Sequence, residues 1–144
     1  MILLDTNVLS ELMRPAPNLQ IVNWLDTLNE TEIWISAVTL SEIFMGIALL
    51  PDGKRKTKLL EAAQQMFQED FEGHCLPFDC ESASAYAGII SECKGKGRPI
   101  SVEDAQIASI ALTAELTLAT RNVKDFSGIE TLELFNPWTD INFH

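Results

Sequence analysis

Short runs of apolar and β-branched residues alternate along this chain with longer stretches in which apolar residues recur every three or four positions. The short runs, at 2–4, 33–36, 75–78, 116–119 and 131–135, predict strands. The stretches between them, at 7–13, 19–28, 38–50, 54–71, 81–94 and 102–115, predict helices. Pro15, Pro17, Pro51-Asp52-Gly53, the 95–99 loop and Asn136-Pro137 punctuate these elements. Strands alternating with helices predict an α/β fold in which a parallel sheet is covered on both faces. No internal repeat or low-complexity tract interrupts the pattern.

The helix at 102–115 carries Ile107, Ile110, Ala111 and Ala114 on one stripe, with small Ala105, Ala108 and Ser109 between them. Such a face is expected to pack closely on a sheet. Phe44, Met45 and residues 47–50 make a strongly apolar stretch that suits the core or a subunit interface, and Trp24, Trp34 and Trp138 are expected in the same settings. At 144 residues and 47% apolar, the chain has the size of one domain with a real core and no linker. Cys75, Cys80 and Cys93 are odd in number and lack C-x-x-C spacing, which predicts buried, reduced thiols in a cytoplasmic protein. No apolar run approaches the roughly 20 residues that span a bilayer, and the best stretch, 107–120, is broken by Glu115, so no membrane partner is expected. No leader precedes the first strand, so its terminal acid is expected to belong to the mature fold.

Charge narrows the function further. The net charge of −11, from 21 acids against 10 bases, argues against coating nucleic acid through bulk electrostatics. Local contacts stay open, because bases cluster at Lys54, Arg55, Lys56 and Lys58, at Lys94, Lys96 and Arg98, and at Arg121 and Lys124. Solvated helix ends and loops are the favoured account of any single cluster. An acid excess suits a chain that gathers carboxylates around a cation or binds a basic partner.

Four acids stand where such a site would form. Asp5 ends the first strand and opens the first helix, and taken alone it reads as an N-cap. Thr39-x-x-Glu42 fits a capping box, and Ser101-x-x-Asp104 and Asn122-x-x-Asp125 repeat the arrangement. Topology weakens these readings as a set. Asp5, Glu42 and Asp125 fall in turns or first helical turns after a strand or loop, positions that converge at the carboxyl ends of parallel strands. Asp104 is expected to return to the same edge through the 95–99 loop. Oxygen ligands without His or Cys suit a hard ion, Mg²⁺ or Mn²⁺, and metal-assisted phosphoryl chemistry. His74 and His144 are the only histidines, which disfavours a His-pair nuclease, and no G-x-S-x-G, G-x-x-x-x-G-K-[ST] or G-x-G-x-x-G motif occurs.

Four ordered motifs then resemble a known family. They are Ile2-Leu3-Leu4-Asp5-Thr6-Asn7; Ser36-Ala37-Val38-Thr39 with Ser41-Glu42 and Gly46; Gly97-Arg98-Pro99 with Asp104 and Ile107-Ala108; and Leu118-Ala119-Thr120-Arg121-Asn122 with Asp125-Phe126. The set resembles the PIN-domain ribonucleases of type II toxin-antitoxin systems, the VapC group, and Phe135-Asn136-Pro137-Trp138 is similar to its FitB-like branch. The resemblance covers 1–138 and leaves 139–144 as a C-terminal tail. It implies a three-layer α/β/α sandwich around a short parallel sheet, and a Mg²⁺-dependent endoribonuclease that hydrolyses RNA with a metal-activated water. It also implies a homodimer neutralised by a cognate antitoxin with a DNA-binding domain.

Carried over by position, Asp5, Glu42 and Asp104 are the metal-binding acids. Thr6 and Asn7 orient Asp5, and Thr120 is the small polar residue at the fourth strand's end. At the fourth acidic position this chain has Asn122 with Asp125 three residues on, so either can complete the site. RNA is expected near Arg121, Lys124, Lys54 and Arg55. Two other classes stay in view: a catalytically silent binding module in an antitoxin/DNA complex, which the four acids disfavour, and a phosphoacceptor domain, disfavoured by the absence of a second acid two residues after Asp5.

Overall fold

In the computed structural model, residues 1–140 are described; His144 and most of the expected tail lie outside the described residues. Five parallel strands form the sheet: β1 (Ile2–Leu4), β2 (Ile33–Ser36), β3 (Cys75–Leu76), β4 (Thr117–Ala119) and β5 (Leu134–Phe135), in the order β3-β2-β1-β4-β5. The chain builds outward from β1 to β2 and β3, then crosses to the other side of β1 for β4 and β5. The carboxyl end of β1 therefore lies where the winding reverses, the place where open α/β sheets bind ligands.

The pleat divides the core in two. Ile2, Leu4, Ile35 and Ala119 pack with α1 (Thr6–Leu12), α2 (Leu19–Asp26), α3 (Ala37–Ala48) and α4 (Lys54–Met66) on one face. Leu3 and Leu118 pack with α5 (Cys80–Gly95), α6 (Val102–Thr113) and α7 (Val123–Phe126) on the other. The three-layer α/β/α sandwich expected from the resemblance is the fold observed. Ile2, Leu3 and Leu4 have no exposed surface, and each such burial contributes about 1.5–3 kcal/mol, which anchors the strand that carries Asp5.

Several local expectations change. Helix α3 starts at Ala37, capped by Ser36 Oγ, which accepts from Thr39 N at 3.0 Å. Thr39 is thus inside the helix and fully buried, and the Thr39-x-x-Glu42 capping box does not form. The Ser101 cap does form, taking Asp104 N at 3.1 Å. Asn122 precedes α7 but makes no side-chain cap bond. The helix expected at 54–71 is α-helical only to Met66; a wider π turn, Phe67–Phe71, then turns Phe71 into the core. Helix α6 is buried nearly all round rather than along one stripe, and Ala114 falls just past its end and is exposed. Cys93 is buried and Cys75 partly so, but Cys80 is exposed, because it opens α5 immediately after its Asp79 cap. All three are free thiols.

The 95–99 loop returns the chain as expected. Gly97, at φ 65°, donates to Lys94 O at 3.1 Å, and Arg98 N to Cys93 O at 2.9 Å. This pair of bonds is a Schellman ending, which needs the left-handed residue that glycine supplies without steric cost. Lys96 Nζ then reaches Gly128 O at 3.0 Å and Arg98 Nη1 reaches Ser127 Oγ at 2.6 Å, tying the loop down. Lys96 and Arg98 of that second basic cluster thus serve the fold.

Candidate active site

Asp5 follows the buried strand β1 and is itself only 4% exposed. Its backbone N donates to Ala119 O at 2.9 Å, which extends the β1–β4 pairing up to the acid. One carboxylate oxygen, Oδ1, accepts from Thr6 N at 2.8 Å, the N-cap bond expected from sequence. The other, Oδ2, accepts from Thr120 Oγ1 at 2.7 Å and from Asn7 Nδ2 at 3.2 Å. A carboxylate has about four acceptor sites, so three bonds hold Asp5 while one lone pair on Oδ1 stays available. Burial raises its pKa, the bonds from Thr120, Thr6 and Asn7 oppose that rise, and Asp125 adds to it. Asp5 is thus both cap and candidate ligand.

The supporting residues form one network. Thr120 Oγ1, fully buried, gives its proton to Asp5 and accepts from Asn7 Nδ2 and Asn122 N, each at 3.1 Å. Asn7 Oδ1 accepts from Arg121 N at 3.0 Å, so one side chain ties β1 to the loop after β4. Thr6 Oγ1 lies 2.8 Å from Glu42 Oε1 and 3.1 Å from Thr39 Oγ1. A hydroxyl has one proton, and the shorter bond to a charged acceptor takes it. Thr39 therefore donates to Thr6, which donates to Glu42. Thr39 was not anticipated as part of the site.

Asp5, Glu42 and Asp104 line one cleft of about 520 Å³ with Thr6, Asn7 and Asn122. Asp104 has its carboxyl pushed up to about 6, first by burial, then by the charge of Asp5, with Asp125 and Glu42 contributing, against a hydrogen bond with Ser101. Asp125 is not part of the lining, yet its charge reaches both Asp5 and Asp104. Asn122 stands at the cleft wall, and Asp125 is exposed on α7 outside the lining.

Ser10, Glu11 and Arg14 also line the cleft and were missed from sequence. Asn7, Ser10, Glu11 and Arg14 follow i, i+3, i+4, i+7 spacing, which puts a polar stripe on one face of α1 and its extension; that periodicity was the available signal. None of the four expected RNA contacts lines the cleft itself. Arg121 holds its guanidinium 5.0 Å from the centre of the Trp138 ring, Lys124 is exposed on α7, Lys54 is exposed at the start of α4, and Arg55 lines a neighbouring groove.

Among the described residues, no three Asp, Glu, His or Cys side chains stand close enough to ligate one ion directly. Electrostatic coupling acts over longer distances than a coordination bond, and the raised Asp104 pKa registers it. An all-oxygen, mutually repelling set of this kind fits a hard divalent cation that keeps several of its own waters. Asp5, Glu42 and Asp104 are the groups able to hold one.

No helix among the described residues is long and apolar enough to cross a membrane. The family profile described as PIN domain matches residues 2–130. Toxin FitB of Neisseria gonorrhoeae (strain ATCC 700825 / FA 1090) is 44% identical over 140 residues, covering 97% of this chain and 100% of that protein. VapC ribonuclease Y4jK of Sinorhizobium fredii (strain NBRC 101917 / NGR234) is 33% identical, covering 96% of this chain and 98% of that protein. The solved structure of FitAB bound to an IR36 DNA fragment superposes with a TM-score of 0.91 at 42% identity, over 100% of both chains. With its sheet order, its acidic cleft and these relatives, the chain belongs to the PIN-domain family, among the FitB and VapC toxins of toxin-antitoxin systems.

Proposed function

We propose that this protein is a Mg²⁺-dependent endoribonuclease and the toxin of a toxin-antitoxin pair. The observation that carries the reading is the convergence of Asp5, Glu42 and Asp104 on one cleft at the reversal point of the sheet, two of them held by hydroxyl and amide donors. The VapC relatives are named ribonucleases, which supports RNA as the substrate. Mn²⁺ has the same preference for oxygen ligands and is expected to substitute.

In this reading Asp5, Glu42 and Asp104 hold the ion, and Asn122 or Asp125 completes the set. When bound, Mg²⁺ supplies positive charge for the phosphodiester transition state and an activated water. Thr120, Asn7 and Thr6 keep Asp5 in a single orientation, and Thr39 and Thr6 do the same for Glu42. Asp104 is mostly ionised above pH 6, where it contributes charge to the cation site. Arg121, Lys124, Lys54 and Arg55, outside the cleft lining, are the proposed contacts for the RNA backbone, local cations in a chain of net charge −11.

The partner is an antitoxin with a DNA-binding domain, supported by the likeness to FitAB bound to DNA. The acidic cleft suits an Arg from that partner, whose guanidinium pairs with carboxylates and obstructs the cation site. Two copies of the chain associate, for which exposed Met45 on α3 and Leu49 at its C-cap, one turn on, offer apolar surface. The place of action is the cytoplasm.

Purified protein incubated with single-stranded RNA tests the enzyme reading. Cleavage is expected with Mg²⁺ or Mn²⁺, to stop on chelation, and to drop at least about 100-fold in Asp5→Asn, more than loss of a metal site's supporting residues costs. Undiminished cutting by Asp5→Asn, or in chelator, overturns it.

A further inference from the structure

We infer that Arg14 is a substrate-binding residue, which holds a phosphate of the RNA strand where the acidic cleft opens into the adjoining apolar groove; the inference rests on the ribonuclease reading above. Arg14 is the sole basic side chain among the residues lining the cleft, where Asp5, Glu11, Glu42 and Asp104 supply the acids. It also lines the second cavity, a groove of about 310 Å³ floored by Ile43, Ile47 and Leu59, with Arg55 on its wall. Thr6, Ser10 and Glu42 line both cavities with Arg14, so the two adjoin and Arg14 stands between them.

The guanidinium is held in place. Arg14 Nη1 lies 3.3 and 3.4 Å from the two carboxylate oxygens of Glu11. Glu11 is 7% exposed and also accepts from Asn18 N at 3.1 Å, so its carboxylate is a fixed anchor. Arg14 itself is largely exposed, and these bonds use only Nη1. Nε and Nη2 remain as donors for an incoming anion, in the planar fork that matches phosphate oxygens.

An acidic cleft needs such a group. A strand entering it meets Asp5, Glu42 and Asp104, while Glu11 is paired with Arg14, and the remaining guanidinium donors at the mouth give the phosphate next to the reacting one a favourable contact. Beyond the junction, apolar walls suit unstacked bases, and Arg55 extends the same polarity to a further phosphate. Arg55 sits in the first turn of α4 together with Lys54 and Lys56; Lys56 pairs with Asp52 at 3.2 Å, and no acid lies within the turn itself. Cations at a helix N-terminus oppose its dipole, whereas a bound anion is favoured there. A protein segment in the same groove is the competing occupant, and the anchored Arg14 with Arg55 along the same groove favours the polyanion.

The test compares the parent, Arg14→Ala, Arg14→Lys and a distant control, Lys94→Ala. RNA binding is read by fluorescence anisotropy of a labelled single-stranded oligonucleotide in Ca²⁺, and cleavage kinetics in Mg²⁺. Arg14→Ala is expected to weaken RNA binding about 10-fold and to reduce the slope of log K against log salt by about 0.7, the value for one phosphate contact on a single strand. KM should rise more than kcat falls, and Arg14→Lys should recover only part of the affinity, since it keeps the charge but loses the fork. Equal affinity and equal salt slope in the parent and Arg14→Ala overturn the inference while leaving the nuclease reading intact. Normal RNA binding by Arg14→Ala with weakened binding of the antitoxin overturns it in favour of a protein occupant. A parent that neither binds nor cuts RNA overturns both readings, and circular dichroism of each variant separates loss of contact from loss of fold.

Discussion

Asp104 concentrates the electrostatic tension of the site in one side chain. Its carboxyl is pushed up to about 6 by burial and by Asp5, Asp125 and Glu42, against 3.8 for the free side chain. Between those two values the folded chain binds more protons than the unfolded one, so this group's contribution to stability falls as pH rises through that window. Below about pH 4 both states are protonated and the penalty vanishes; above pH 6 it is fully present. Asp104→Asn should therefore raise stability at pH 7.5 by ~1 kcal/mol, an amount reduced from the full shift because the group is part-exposed and solvent screens it. The gain should shrink steadily from pH 6 to pH 4 in urea melts. A gain constant across that range would mean that the substitution acts through packing and not through charge. The same variant should be nearly inactive, so the stability and the activity move in opposite directions, as expected where a functional site stores unfavourable charge.

Helix α3 shows how a local ending decides what a functional side chain can reach. Ser36 is both the last residue of β2 and the cap of α3, and it is fully buried. Starting the helix at Ala37 turns Thr39 inward to Thr6 and places Glu42 in the second turn, facing the cleft. Had Thr39 been the cap, Glu42 would have been spent on closing a capping box. Ser36→Ala removes the acceptor for Thr39 N and should cost about 1–2 kcal/mol, the upper part of the range for lost caps because the freed N–H is buried. Urea denaturation measures it. Cleavage by the folded fraction should survive, because Glu42 lies beyond the first turn and is held by Thr6. An unchanged midpoint would show that another group caps the helix.

Across the whole molecule, an excess of 11 negative charges makes two effects of divalent cations separable. Diffuse screening depends on ionic strength, whereas a bound ion stabilises the folded state by mass action. Mg²⁺ at ten times its dissociation constant contributes about 1.4 kcal/mol, a rise in melting temperature of roughly 3–6 °C for a domain of this size. Sodium chloride at matched ionic strength should give less. Asp5→Asn should lose the excess due to Mg²⁺ and keep the part due to salt. Identical shifts in the parent and the variant would place the ion elsewhere on the surface.

Much of this was legible along the chain. The five strands followed from short apolar and β-branched runs, the six main helices from apolar residues recurring every three or four positions, and the α/β class from their alternation. The Asp5 and Ser101 caps followed too, since each bond spans three residues or fewer and backbone geometry alone sets it. Asp5, Glu42 and Asp104 were named, and the family resemblance added Thr6, Asn7, Thr120 and Asn122, but the rest of the cleft was not. Thr39, Glu11 and Arg14 were missed, Thr39 because its assigned role as a cap was already taken by Ser36, which reads equally well as a strand end. Asn122 and Asp125 stayed equivalent along the chain, whereas in the fold only Asn122 lines the cleft. The decisive bonds run from Thr6 to Glu42, 36 residues apart, and from Thr120 to Asp5, 115 residues apart. Whether such groups meet depends on the strand order β3-β2-β1-β4-β5 and on the Schellman turn at Gly97, and no local pattern encodes a lateral neighbour. Periodicity states that a residue is buried or exposed; only packing one layer against another states which residue it is buried against.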